Sequence, residues 1–279
     1  MSVKAYLKLT NFELNRFSKI YFTLIGITIL SQIVGAYVEA KSYLDQAQKF
    51  IHEESLTISE YVSYYGHLSF YDVVHSLWFV GPIALCIMAM LFYVLLIWYR
   101  DWYGKNTFIY RLLMLPTSRI NIFFAKATAI FLMTLGLVAI QIVLLPIENQ
   151  IIKWVVPFEF RIDLSLIEML ESFKLFMAVF PLSFVDFVVH YALGFIFLLV
   201  VFTAILFERS FRIKGIVLGI IYVILVQVIF ALPFIITAWL QKPFLYPIEY
   251  FFLQIFISLV ISGVSIWLSH YLLTKKVTV

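Results

Sequence analysis

Two carboxylate–imidazole pairs form the sharpest chemical constellation in the chain. Asp72 and His75 stand three residues apart just before an apolar run, and Asp186 and His190 stand four apart a turn inside another. On a helix either spacing puts both side chains on one face. Two such pairs at similar depth could hold a divalent ion or carry a proton. They could equally cap helices, snorkel, or line a water-filled outer vestibule. The vestibule reading is the one adopted, with Glu249 at the same mouth and no bound metal.

Other motifs fall short of chemistry. Gly104-Lys105 is followed by Asn106, and Tyr99 stands where a nucleotide-binding loop needs its first glycine. The chain therefore has no P-loop. His52-Glu53-Glu54-Ser55 breaks off before a zinc-binding H-E-x-x-H, and Gly263-Val264-Ser265 lacks the next glycine of a serine nucleophile turn. Cys86 is the single cysteine, which excludes a disulfide framework or a thiolate metal site.

The elements that must position these groups are membrane helices. The chain is 63% hydrophobic and only 13% charged, too apolar for a water-soluble fold of 279 residues to hide. Its 19% aromatic content suits belts at two bilayer surfaces. Six runs are long enough to cross about 30 Å of hydrocarbon at 1.5 Å per residue. They cover residues 20–38, 77–99, 127–147, 182–207, 215–240 and 248–272. Lipid offers no partner to backbone groups, so each run is expected to be a helix in one all-α membrane domain.

Loop charge sets the expected orientation. Lys4, Lys8, Arg16, Lys19, Arg100, Lys105, Arg111, Arg119, Lys126, Arg209, Arg212, Lys214, Lys275 and Lys276 fall on one side, fourteen of the 20 basic residues. The positive-inside rule makes that side the cytoplasm and puts both termini there, in a multi-pass protein of the cell membrane. The net charge of +4 is spread over short loops, so it encodes topology and not a nucleic-acid surface.

Segments outside the spans add detail. Val3, Leu7, Leu14 and Phe17 share a face opposite Lys4, Lys8, Asn11 and Asn15, which predicts an interfacial helix before the first span. Residues 39–76 read as a small outer helical cap. Asp163 is placed to N-cap a second interfacial helix ending near Pro181. Pro233 and Pro247 are expected to bend or break helix around a short re-entrant turn. Ser258, Ser262, Ser265 and Ser269, with Gly215 and Gly219, read as packing seams.

The connector after the second span carries a family resemblance. Arg100-Asp101, Gly104 and Thr107, then Leu115-Pro116-Thr117-Ser118-Arg119, and Lys126 opening the third span resemble the signature of type-2 ABC exporter permeases. Asp101 stands where glutamate is usual there, and two residues separate Gly104 from Thr107. The resemblance implies a coupling helix between spans two and three, docking of a separate ABC ATPase, and a second permease subunit. ATP and magnesium would then belong to the ATPase, leaving this chain with no cofactor and no enzymatic activity of its own. The docking set is Arg100, Asp101, Trp102, Tyr103, Gly104, Thr107, Arg111, Leu115, Pro116, Ser118 and Arg119. Cargo would be amphipathic or apolar, because the middles of the spans are nearly free of charge. Two rivals from other classes stay open: a membrane-embedded metal-dependent enzyme using the Asp/His pairs, and a non-catalytic scaffold or sensor.

Overall fold

The computed structural model describes residues 3–103, 108–114, 117–172, 179–181, 183–241 and 245–276. Among them there is helix and no strand, and six helices are long and apolar enough to cross a membrane. These six are α1 (Val3–Glu54), α4 (Leu77–Trp102), α6 (Ile120–Val155), α8 (Phe184–Phe211), α9 (Ile213–Leu240) and α10 (Pro247–Tyr271), the last continued by a π turn over Leu272–Lys276. Shorter helices lie between them: α2 (Ile58–Tyr65), α3 (Phe70–Val74), α5 (Phe108–Leu113) and α7 (Leu166–Ser172).

Several elements depart from the sequence reading. Residues 3–17 are continuous with the first span, and α1 runs on through half of the expected outer cap. Its inward positions there are Ala36, Ala40 and Ala47, small residues at helical spacing. Asp163 does not cap α7. Ser165 does, while Asp163 pairs with Arg161 at 2.9 Å and Lys153 at 3.4 Å. α9 passes through Pro233 without interruption, whereas Pro247 opens α10 at its first turn, where a missing N–H is harmless. The expected loop between α8 and α9 is a single residue, Arg212, with a positive φ (54°).

The chain divides into two compact units, one of Met1–Leu14, Phe92–Phe131 and Tyr191–Val279, the other of Asn15–Leu91 and Leu132–His190. In the first unit Trp98, Phe123 and Phe202 meet edge-on or tilted, with ring centroids 5.5–6.4 Å apart. The α9 backbone comes close to α8 at two glycines. A Cβ on Gly215 would collide with the Phe207 carbonyl, and one on Gly219 would lie 2.9 Å from the Ala204 oxygen. Buried hydroxyls join this unit's helices: Tyr222 and Ser265 at 2.6 Å, Thr203 and Ser269 at 2.9 Å. Ser265 Oγ also donates to the Ile261 carbonyl at 2.7 Å, so the serine stripe forms a seam.

The second unit is built on Ala36, Ala40 and Ala47 of α1, Tyr61, Phe70, Val73 and Val74 of the short helices, Phe79 of α4, and Leu145, Ile152 and Val156 at the end of α6 and just past it. Polar pairs occupy its apolar stretch. Gln141 donates to Gln32 at 3.1 Å, and Thr28 and Cys86 lie 3.3 Å apart.

Candidate functional site

The first unit gathers the charged residues of the connector into a buried cluster. Lys126 Nζ donates to Glu13 Oε1 at 2.7 Å, to Asp101 Oδ2 at 2.5 Å and to the Ile97 carbonyl at 2.9 Å. An ammonium has three protons, and all three are used. Glu13 Oε2 accepts from Arg100 Nη2 at 2.9 Å. Glu13, Asp101 and Lys126 are buried, and two carboxylates balance two cations. The indole of Trp98 lies under the ammonium at 5.4 Å, and Tyr93 under the Arg100 guanidinium at 5.8 Å. Burying such charges is tolerable only because each is paired and hydrogen-bonded.

The cluster ties the start of α1, the end of α4 and the start of α6 at one point. Nearby contacts extend the tie. Phe12 of α1 stacks on Phe108 of α5 at 5.5 Å, and Tyr6 meets Thr128 at 2.6 Å. Arg119 Nη1 donates to the Leu273 carbonyl at 2.7 Å, fastening the far end of the connector to the C-terminal turn. A second group joins α4 to α8. The Tyr99 hydroxyl donates to Glu208, and the Arg209 guanidinium lies over the rings of Tyr99, Tyr103 and Trp102 at 4.5, 5.0 and 5.7 Å.

The expected docking residues thus separate into two sets. Asp101 is fully buried and engaged by Lys126, so it cannot offer itself to a partner protein; it braces the connector from within. Arg100 is turned toward Glu13, and Trp102 is half-buried beneath Arg209. Tyr103 is 68% exposed, and Arg111 and Ser118 are also on the surface; Met114 (71% exposed) and Tyr110, which are not in that set, lie exposed beside them. Gly104, Thr107, Leu115 and Pro116 lie outside the described residues. Within the connector, residues 108–113 form α5, which buries Ile109, Leu112 and Leu113 and leaves Tyr110 and Arg111 outward.

The Asp/His pairs serve helix geometry. Asp72 Oδ2 accepts from the Ser69 N–H at 2.9 Å, and Asp186 Oδ2 accepts from the Ser183 hydroxyl at 2.6 Å. His75 and His190 each place Nδ1 against the carbonyl four residues back, at 2.8 and 2.7 Å. Glu249 accepts from the Tyr246 N–H at 2.8 Å, and Glu60 and Glu168 do the same for Thr57 and Ser165 at 2.7 and 2.6 Å. Five helices therefore open with an acid turned back on its own first turn. The Thr57 and Ser165 N–H groups hold the Glu60 and Glu168 carboxyls below the usual carboxylate range. Among the described residues no three His, Cys, Asp or Glu come together as a metal site.

Glu13 escaped the sequence reading because it falls on the polar side of an apparently simple amphipathic segment. One signal was available: it is the only acid among Lys4, Lys8, Arg16 and Lys19. No family model matches this chain, and no curated protein or solved structure shows a similarity that would establish a relationship.

Proposed function

We propose that the chain is the membrane-spanning permease subunit of an ATP-driven exporter of the type-2 ABC class, worked by a separate ATPase. The observation carrying this reading is the Glu13–Lys126–Asp101 cluster. It clamps the base of the one long basic connector to three helices and leaves Tyr103, Arg111 and Met114 outward. A force applied to an exposed aromatic on so braced a connector would be delivered to α1, α4 and α6 together. With no nucleotide loop in its sequence, the chain draws free energy from an ATPase on the side that the basic loops mark as cytoplasmic. Exposed aromatic and arginine side chains beside apolar ones suit a protein interface. Two such subunits, identical or homologous, enclose the path in the lipid bilayer, and amphipathic or apolar cargo fits spans with so few charges.

Purification of the chain with an ABC ATPase encoded beside it tests the proposal. The expected result is a stable complex whose ATP turnover rises with cargo. An ATPase that does not bind, in membranes where the chain is folded, would overturn it and favour the scaffold reading.

A further inference from the structure

Glu148 is a buried carboxyl with no use in the scheme above. It is the first residue past the apolar run 127–147 and is fully buried, yet among the described residues neither carboxyl oxygen has a hydrogen-bond partner. Among the described residues no charged side chain pairs with it, so its burial is not offset there. Leu145 and Ile152, three residues before and four after, belong to the core of the second unit, and Gln141 lies two turns earlier on the same face.

Among the described residues, the titratable groups on the elements of that core are engaged elsewhere. Tyr43 of α1 donates to the Gly66 carbonyl, and Tyr61 of α2 stacks on Tyr65. Asp72 of α3 and Glu168 of α7 cap their own helices, and His75 faces the Tyr71 carbonyl. Lys153 of α6 pairs with Asp163. On α1, Lys41 and Asp45 face outward, and Lys49 meets Glu53 on the exposed side.

A bare carboxylate sealed in this way would lose its hydration and gain nothing in return. The neutral acid forfeits far less. We propose that Glu148 is a proton-binding site of the second unit, holding its proton while the surrounding helices are packed and releasing it when they open to water. On opening, the carboxyl O–H bond breaks, the proton passes to water, and the carboxylate left behind is hydrated. Any movement that wets this core is therefore coupled to pH, whatever the chain transports. Above the ordinary carboxyl range of about 4.3, the packed form binds one proton more than the open form. Each further pH unit then favours opening about tenfold until the packed form also ionises.

The full chain in lipid nanodiscs, labelled with carboxyl-13C glutamate, provides the test by infrared difference spectroscopy. Expected is a protonated-carboxyl band at neutral pH that is absent in Glu148→Gln. No such band, or one unchanged in the variant, overturns the proposal. Denaturant unfolding against pH supplies the second readout. The ratio of wild-type to Glu148→Gln unfolding constants should climb about tenfold per pH unit above that range, and parallel profiles also overturn the proposal. Should Glu148→Gln not accumulate, Glu148→Met, of similar length and unable to ionise, carries both measurements.

Discussion

Asp101 Oδ2 and Lys126 Nζ lie 2.5 Å apart, both side chains fully buried, although 25 residues separate them in the chain. They bracket the connector, so the segment leaves and rejoins the first unit at one shared ion pair. Glu13 shares the same ammonium, which makes the N-terminal helix part of the fastening.

Removing the shared cation should be severe. In Lys126→Met the carboxylates of Glu13 and Asp101 would remain buried without their common partner, at a cost of about 3–5 kcal/mol. Adding Asp101→Asn removes one of the stranded charges and should recover a substantial part. Denaturant midpoints of the two variants in detergent measure this, and equal loss in both would refute the pairing.

Tyr103→Ala and Asp101→Ala should separate. Tyr103 is outward, and truncating an anchoring aromatic at an interface costs on the order of 2 kcal/mol, about a thirtyfold loss of the proposed ATPase recovered from detergent. The chain itself should stay folded. Asp101→Ala should instead lower the stability of the chain alone. Full ATPase recovery with Tyr103→Ala and Met114→Ala combined would remove the docking role from this surface.

Orientation is open to cysteine labelling in a Cys86→Ser background. Ser55→Cys and Tyr64→Cys, both exposed, should react with an impermeant reagent outside sealed cells. Arg111→Cys and Ser118→Cys, also exposed, should react only after permeabilisation. The reverse pattern would invert the topology.

One glycine should behave unlike two others. Gly215→Ala would press a methyl on the Phe207 carbonyl and the Glu208 backbone, and overpacking of that kind costs about 1–3 kcal/mol. Gly26 and Gly194 have open space around an added Cβ, so alanine there should be neutral or stabilising by up to about 1 kcal/mol. Thermal midpoints of the three variants provide the comparison.

Acid should loosen particular helix starts. Because their folded carboxyls sit below the ordinary range, the caps from Glu60 and Glu168 stabilise above the unfolded value near 4.3 and fade as pH falls through the folded one. Amide exchange at Thr57 and Ser165, corrected for its intrinsic pH dependence, should accelerate in that window. Glu60→Gln and Glu168→Gln should flatten the response.

The six spans were legible because twenty apolar residues in a row have one solution in lipid. Helix ends were less so. Hydropathy stops at the bilayer edge, whereas α1 continues to Glu54 on a stripe of alanines that carries little hydropathic signal. The capping acids could have been read from Thr57-x-x-Glu60 and Ser69-x-x-Asp72, spacings that specify a reciprocal cap before any metal is considered. The charge cluster was half visible. Arg100, Asp101 and Lys126 stood out by motif, but spacing alone does not tell an outward charge from one folded back on a partner. Glu148 was hidden by its position, since an acid just past a span reads as a solvated end until its neighbours are known.

The lone residue between α8 and α9 bears on how the protein is made. With only Arg212 to reverse direction, and Gly215 pressed on the turn before it, the two helices are a hairpin from the moment they can fold. Biogenesis must therefore deliver them to the bilayer as one insertion unit. A protease finds no linker there to cut, and an epitope or fluorescent tag spliced at this corner would have to unwind helix to be displayed.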